Sequence, residues 1–125
     1  MTQPERMNSA SDVWEADPWD APDELVKFQL AGFRKRAGQP IVWTPVRGGE
    51  TNIFGIDVAK LIGADVELFA THDGEDMLLM QSAWHGFPDP PEWRLATRSH
   101  NNHDTGWVSW GYFAKPPEKW NMPEI

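Results

Sequence analysis

The sequence predicts an α+β domain, one N-terminal helix packed on a mostly antiparallel sheet or half-open β-barrel, with extended N- and C-terminal arms. Three observations carry this. Apolar residues recur at helical spacing only between Pro22 and Ala37. From Ile41 onward the apolar period falls to two, and turn residues punctuate the chain at short intervals. Proline pairs at 90–91 and 116–117 then end the strands, because proline cannot donate to a ladder.

The first 21 residues are read as an extended or disordered acidic tail. They combine Pro, Ser, Asn and acids with few large apolar side chains, too few to offset the entropy of ordering. Within them, Trp14-Glu-Ala-Asp-Pro-Trp19-Asp has the form of a short linear motif, two aromatic anchors on an acidic, proline-stiffened strand. The alternative is that the tail folds back onto its own domain, although the surroundings of Trp14 and Trp19 are too polar to form a core. Residues 22–125 are read as a single β-rich domain ending in a Pro/Trp arm.

The helix spans Pro22 to Ala37. Asp20 is its expected N-cap, Asp23 and Glu24 meet the positive end of the dipole, and Arg34, Lys35 and Arg36 meet the negative end before Gly38 and Pro40. Val26, Leu30, Phe33 and Ala37 share one face, with Leu25 and Phe28 widening the stripe. The basic triplet is a capping feature or a docking point for the acidic tail.

Ile41–Arg47 and Thr51–Val58 flank Gly48-Gly49-Glu50 and are expected to form a hairpin, with Pro45 at a sheet edge and Gly55 at a bulge. Asp57 caps a helical turn over Val58–Ile62, closed by Gly63. Asp65–Thr71 and Asp76–Trp84 form the clearest hairpin, turning at 72–75. Met77-Leu78-Leu79-Met80 is apolar on both faces, which marks the central strand.

One phrase is written twice. Trp84-His-Gly-Phe87-Pro-Asp-Pro90-Pro91-Glu92-Trp93 is echoed by Trp110-Gly-Tyr-Phe113-Ala-Lys-Pro116-Pro117-Glu118-Lys-Trp120. Each unit reads as a strand, an aromatic exit and a stiff Pro-Pro arm that leaves the sheet and closes on a tryptophan. The second copy carries one extra residue before that tryptophan. The two are therefore expected to make different contacts, and closure of the domain's own core is one role open to either. Trp14, Trp19, Trp93, Trp120, Phe87, Phe113, Pro90, Pro91, Pro116 and Pro117 are the expected partner-binding residues, because Trp dominates binding hot spots and this chain holds 8 of them.

Charge narrows the partner class. Of the net charge of −8, residues 1–24 supply −6 through seven acids against Arg6 alone, which leaves −2 for the body. Phosphate contacts need clustered Lys and Arg, so direct nucleic-acid binding is not expected. The polar N-terminus shows no signal peptide, no apolar run reaches membrane-span length, and cysteine is absent. The expectation is a cytoplasmically made protein with no membrane contact.

Chemistry finds little footing. His100-Asn-Asn-His103-Asp104, with His72 and His85 elsewhere, is the one metal-like grouping, and it equally suits a solvated loop. There is no nucleophile elbow and no phosphate loop, and the carboxylates Asp73, Glu75 and Asp76 surround a turn. Neither enzyme activity, metal nor cofactor is expected. The reading is a structural or adaptor protein that docks into a multi-subunit assembly, its partner another protein or a copy of itself; richness in Ala, Gly, Asp, Arg, Pro and Trp suggests a GC-rich genome, that of an actinobacterium or one of its phages, and with it a phage virion as the assembly. One alternative is a small acidic inhibitor of a basic nucleic-acid-enzyme groove, and another is a glycan-binding module. The acids cluster on a flexible tail rather than a rigid surface, which favours docking over mimicry of nucleic acid.

Overall fold

The computed structural model describes residues 14–17, 21–81, 93–101 and 106–123. In chain order they form α1 (Asp23–Ala37), β1 (Thr44–Pro45), β2 (Asn52–Ile53), β3 (Ile56–Asp57), α2 (Val58–Gly63), β4 (Val66–His72), β5 (Glu75–Gln81), β6 (Trp93–Ser99) and β7 (Val108–Phe113). Five strands make one antiparallel sheet ordered β1-β4-β5-β6-β7, and β2 pairs with β3 in a second, small one. The fold is α+β, with one long helix packed against the main sheet.

Strand β5 occupies the centre, as its two-sided apolar pattern requires. Its hairpin with β4 turns through Asp73 (φ 53°) and Gly74 (φ 78°) between the paired His72 and Glu75. Two consecutive left-handed residues are the signature of a type I′ turn, and Asp-Gly is the pair that tolerates it best. A register shift between Val66 and Leu68 places these two residues on opposite faces of the sheet, each in a different core.

The hairpin expected across Gly48-Gly49 does not form. Thr44 and Pro45 pair instead with Phe69 and Leu68 of β4, and Asn52–Ile53 folds onto Ile56–Asp57 only four residues later. Pro45 cannot continue a ladder, and the Phe54-Gly55 turn, with φ 56° and 79°, closes the shorter hairpin first. Asp57 caps α2 as expected, accepting from the Ala59 amide at 2.9 Å.

Helix α1 has the expected limits but a rotated face. Pro22 stands at its N-cap with no side-chain cap bond, and Asp20 lies outside the described residues. Gln29, Phe33 and Arg36 are buried, whereas Phe28 is 55% exposed. The rotation follows from Gly32, which lies on the Trp110 indole; a Cβ there would come within 2.1 Å of the ring. The polar residues turned inward find partners. Arg36 is bound by Glu75 at 2.9 Å through Nε and stacks over Trp110 at 4.2 Å, so the triplet does not serve as a dock for the described part of the tail. Gly32→Ala should therefore destabilise. The gain in helix propensity is about 1 kcal/mol, and overpacking against a fixed ring costs about 1–3 kcal/mol. We expect a lower urea midpoint with unchanged slope.

Each face of the sheet buries its own core. Beneath α1 lie Phe33, Ile41, Trp43, Leu68, Ala70, Met77, Leu79, Leu95, Trp110, Phe113 and Trp120. The opposite face holds Val46, Ile53, Leu61, Val66 and Leu78 under α2 and the small hairpin. No helix among the described residues is long and apolar enough to cross a membrane.

Candidate functional site

The second copy of the repeated phrase turns inward. Beyond β7 the chain passes Pro116 and a buried Pro117, and the Trp120 amide then donates back to the Pro117 carbonyl at 3.2 Å. This turn uses the extra residue Lys119. It drives the Trp120 indole beside Trp43 and edge-on to Phe113, and its Nε1 donates to the Arg36 carbonyl at 2.8 Å, closing the end of α1. Asn121 then exchanges bonds with Ile41 and Trp43. Phe113 (0% exposed), Trp120 (4%) and Pro117 are thus core residues. The partner-facing role expected of them gives way to a structural one, since a buried ring offers no face to a partner. The arm packs back on the domain instead of running free over its surface.

The first copy is described only at its last residue. Trp84, Phe87, Pro90 and Pro91 lie outside the described residues, as does Trp19. Trp93 opens β6, opposite both Gln81 and Phe113, and it is half-buried. In this copy no residue separates Glu92 from the tryptophan, and the ring goes to a strand start rather than into a turn.

Around Trp93 a cleft of about 480 Å³ opens at the end of the sheet where β5 stops and β6 begins. Trp93, Leu68, Met122, Pro45, Pro116 and Pro123 make its walls, with Arg47, Glu67 and Gln81 as polar members. The C-terminal arm is therefore one wall and the sheet the other. Three prolines contribute rigid apolar surface with little rotamer entropy to lose on binding. Of the residues expected to face a partner, Trp93 and Pro116 line this cleft; Pro45 and Leu68 of the sheet were not foreseen there, nor were Met122 and Pro123 of the arm. Their only signal was the packing back of the arm, which the Pro-Pro pair disguised as an exit.

The described part of the tail lies on the domain itself. Glu15 exchanges two backbone bonds with Tyr112, at 2.8 and 2.7 Å, extending the sheet past β7. Trp14 packs against the first core and donates from Nε1 to the Trp110 carbonyl at 2.8 Å. The expectation that its surroundings cannot support burial fails because those surroundings come from β7, nearly one hundred residues away in sequence. Asp17 meets Arg94 at 2.9 Å and accepts from the Ser109 hydroxyl at 2.9 Å.

A polar cluster sits on the far face. Asp76 (0% exposed) meets His100 Nδ1 at 2.6 Å and Arg98 Nη2 at 3.4 Å, while the Arg98 guanidinium lies 4.5 Å over Trp107 and donates to the Phe54 carbonyl. The sheet register puts Asp76 opposite Arg98, which fixes the pair. Five residue steps along β5 separate Asp76 from the cleft residue Gln81, about 17 Å. The cluster and the cleft are therefore separate features. His103, Asp104 and His85 lie outside the described residues; His72 bonds Gln39 instead, and among the described residues no three His, Asp or Glu gather as metal ligands.

Compared with family models, curated proteins and solved structures, the chain matches none.

Proposed function

We propose that the protein is a non-enzymatic adaptor that docks into a multi-subunit assembly by taking an extended apolar segment of a protein partner into the Trp93 cleft. The observation that supports this is the cleft lining: one Trp, one Met, one Leu and three Pro, with a guanidinium and a carboxylate to set register. Concave apolar sites with few polar groups are the usual form of binding pockets, and aromatic–proline grooves suit extended peptides. The acidic-inhibitor alternative is less well supported, because Asp17 is already engaged by Arg94 and Ser109 within the chain.

Quantitative capture from an extract of the source, with the full chain immobilised, tests this. Trp93→Ala should weaken retention of the partner about 30-fold, as a hot-spot tryptophan worth ~2 kcal/mol does. Its cost in stability should be only about 1–2 kcal/mol, since the ring is half-buried. Met122→Glu should lose the same partner. Retention equal to wild type in both variants would refute the cleft as the docking site.

A further inference from the structure

The β7 edge is built as a receptor for one extended four-residue segment, residues 14–17, which bridges to it at Glu15. Gly111, at φ 93°, leaves the space that the Trp14 indole fills: a Cβ there would lie 2.4 Å from Trp14 Nε1 and 2.6 Å from the Glu15 carbonyl oxygen. Only glycine provides both that backbone angle and that space. The Trp110 carbonyl then takes the indole N–H, and Tyr112 supplies one backbone donor and one acceptor. Ala16 is buried, so the third position admits a small side chain. The fourth is read as a carboxylate by Arg94 and Ser109, while Gln29 of α1 exchanges bonds with the Asp17 backbone through its side-chain amide. The socket thus selects the pattern Trp-x-small-Asp, and every group that forms it belongs to α1, β6 or β7.

The bound strand is separate from what it binds. The sheet from β1 to β7 is complete without it, and residues 18–22, with a proline at each end, tether it to α1. A second copy of this chain carries the same strand and can make the same contacts; cis and trans filling differ chiefly in the entropy of that tether. We propose that the β7 edge is a strand-exchange site, filled in cis when the chain is dilute and by residues 14–17 of a neighbouring copy when copies are concentrated in an assembly. A short tether gives the cis segment an effective concentration on the order of millimolar, so exchange competes once copies approach that density. Reciprocal exchange is isologous and closes as a two-fold pair. This goes beyond the cleft, which takes no part in it.

The chain has no cysteine, which permits a clean test. Full-length Glu15→Cys and Tyr112→Cys, each lacking its partner thiol in cis, are mixed at about 1 mM and allowed to oxidise. Strand exchange predicts a 15–112 disulfide between two chains, roughly tenfold more abundant than the 15–15 product. Adding Trp14→Ala to the first chain, or Gly111→Val to the second, should remove the excess. The double variant Glu15→Cys/Tyr112→Cys should close within one chain when dilute, confirming the register. A 15–112 product no more abundant than the 15–15 product would overturn the proposal, as would failure of the double variant to close. Trp93→Ala should leave the exchange unchanged, so loss of cleft binding and loss of exchange are separately visible.

Discussion

Trp120→Ala should cost about 3–5 kcal/mol, a large share of a small domain's stability. The indole is almost wholly enclosed, so its removal leaves a cavity bounded by Trp43 and Phe113 rings that cannot collapse without shifting the sheet. It also removes one donor from the Arg36 carbonyl at the C-terminal end of α1, which accepts the indole N–H at 2.8 Å and keeps the Gln39 amide at 3.1 Å. Trp120→Phe fills most of the volume but lacks that N–H, and it should lose less than the alanine variant. Urea unfolding measures both. A Trp120→Ala protein as stable as wild type would place the arm outside the core.

Asp76→Ala should be of similar size. Removing one partner of a buried charge pair leaves the other uncompensated and costs about 3–5 kcal/mol. Here the residue left behind is Arg98, whose head is held over Trp107 and under the Phe54 carbonyl, with its Nε unpartnered among the described residues. Deleting both charges should therefore be gentler than deleting one. Asp76→Ala/Arg98→Leu is expected to unfold at a higher urea concentration than Asp76→Ala, a non-additivity of about 1 kcal/mol or more. His100→Ala should cost less than either, because half of that side chain stands in solvent.

The fold was legible where one local rule acted alone. Met77–Met80 has apolar residues on both faces, and only a central strand can bury both. Asp73-Gly74 has one comfortable conformation, and it made the hairpin. Legibility failed where distant residues decided the outcome. The face of α1 could not be read from its own apolar spacing, because the close approach of Gly32 to Trp110 set the rotation and Glu75 drew Arg36 inward. Residues 41–58 have the pattern of a hairpin, but Thr44 and Pro45 found a better partner in β4.

The candidate site was half legible for a related reason. The two copies of the repeated phrase differ by Lys119, and that residue completes the turn that puts Trp120 inside. Without it Trp93 begins a strand and faces the cleft. The sequence shows the difference but not its sign: an inserted residue marks two different contacts, and only the packing tells which one closes the core. The tail was the least legible part, since its socket at Gly111, Arg94 and Ser109 is scattered across β6 and β7.

One phrase serves two ends if Trp120 holds the domain together and Trp93, by the proposed docking, holds it to a partner. The mass of the chain in an extract of its source, by size-exclusion with light scattering, tests this most directly when wild type is run beside Trp93→Ala. Docking through Trp93 predicts that wild type elutes bound to a second protein, well above its own 14.2 kDa, and that Trp93→Ala loses that protein while keeping a cooperative melt. Wild type eluting free of any other protein, or Trp93→Ala eluting in the same complex as wild type, would contradict it.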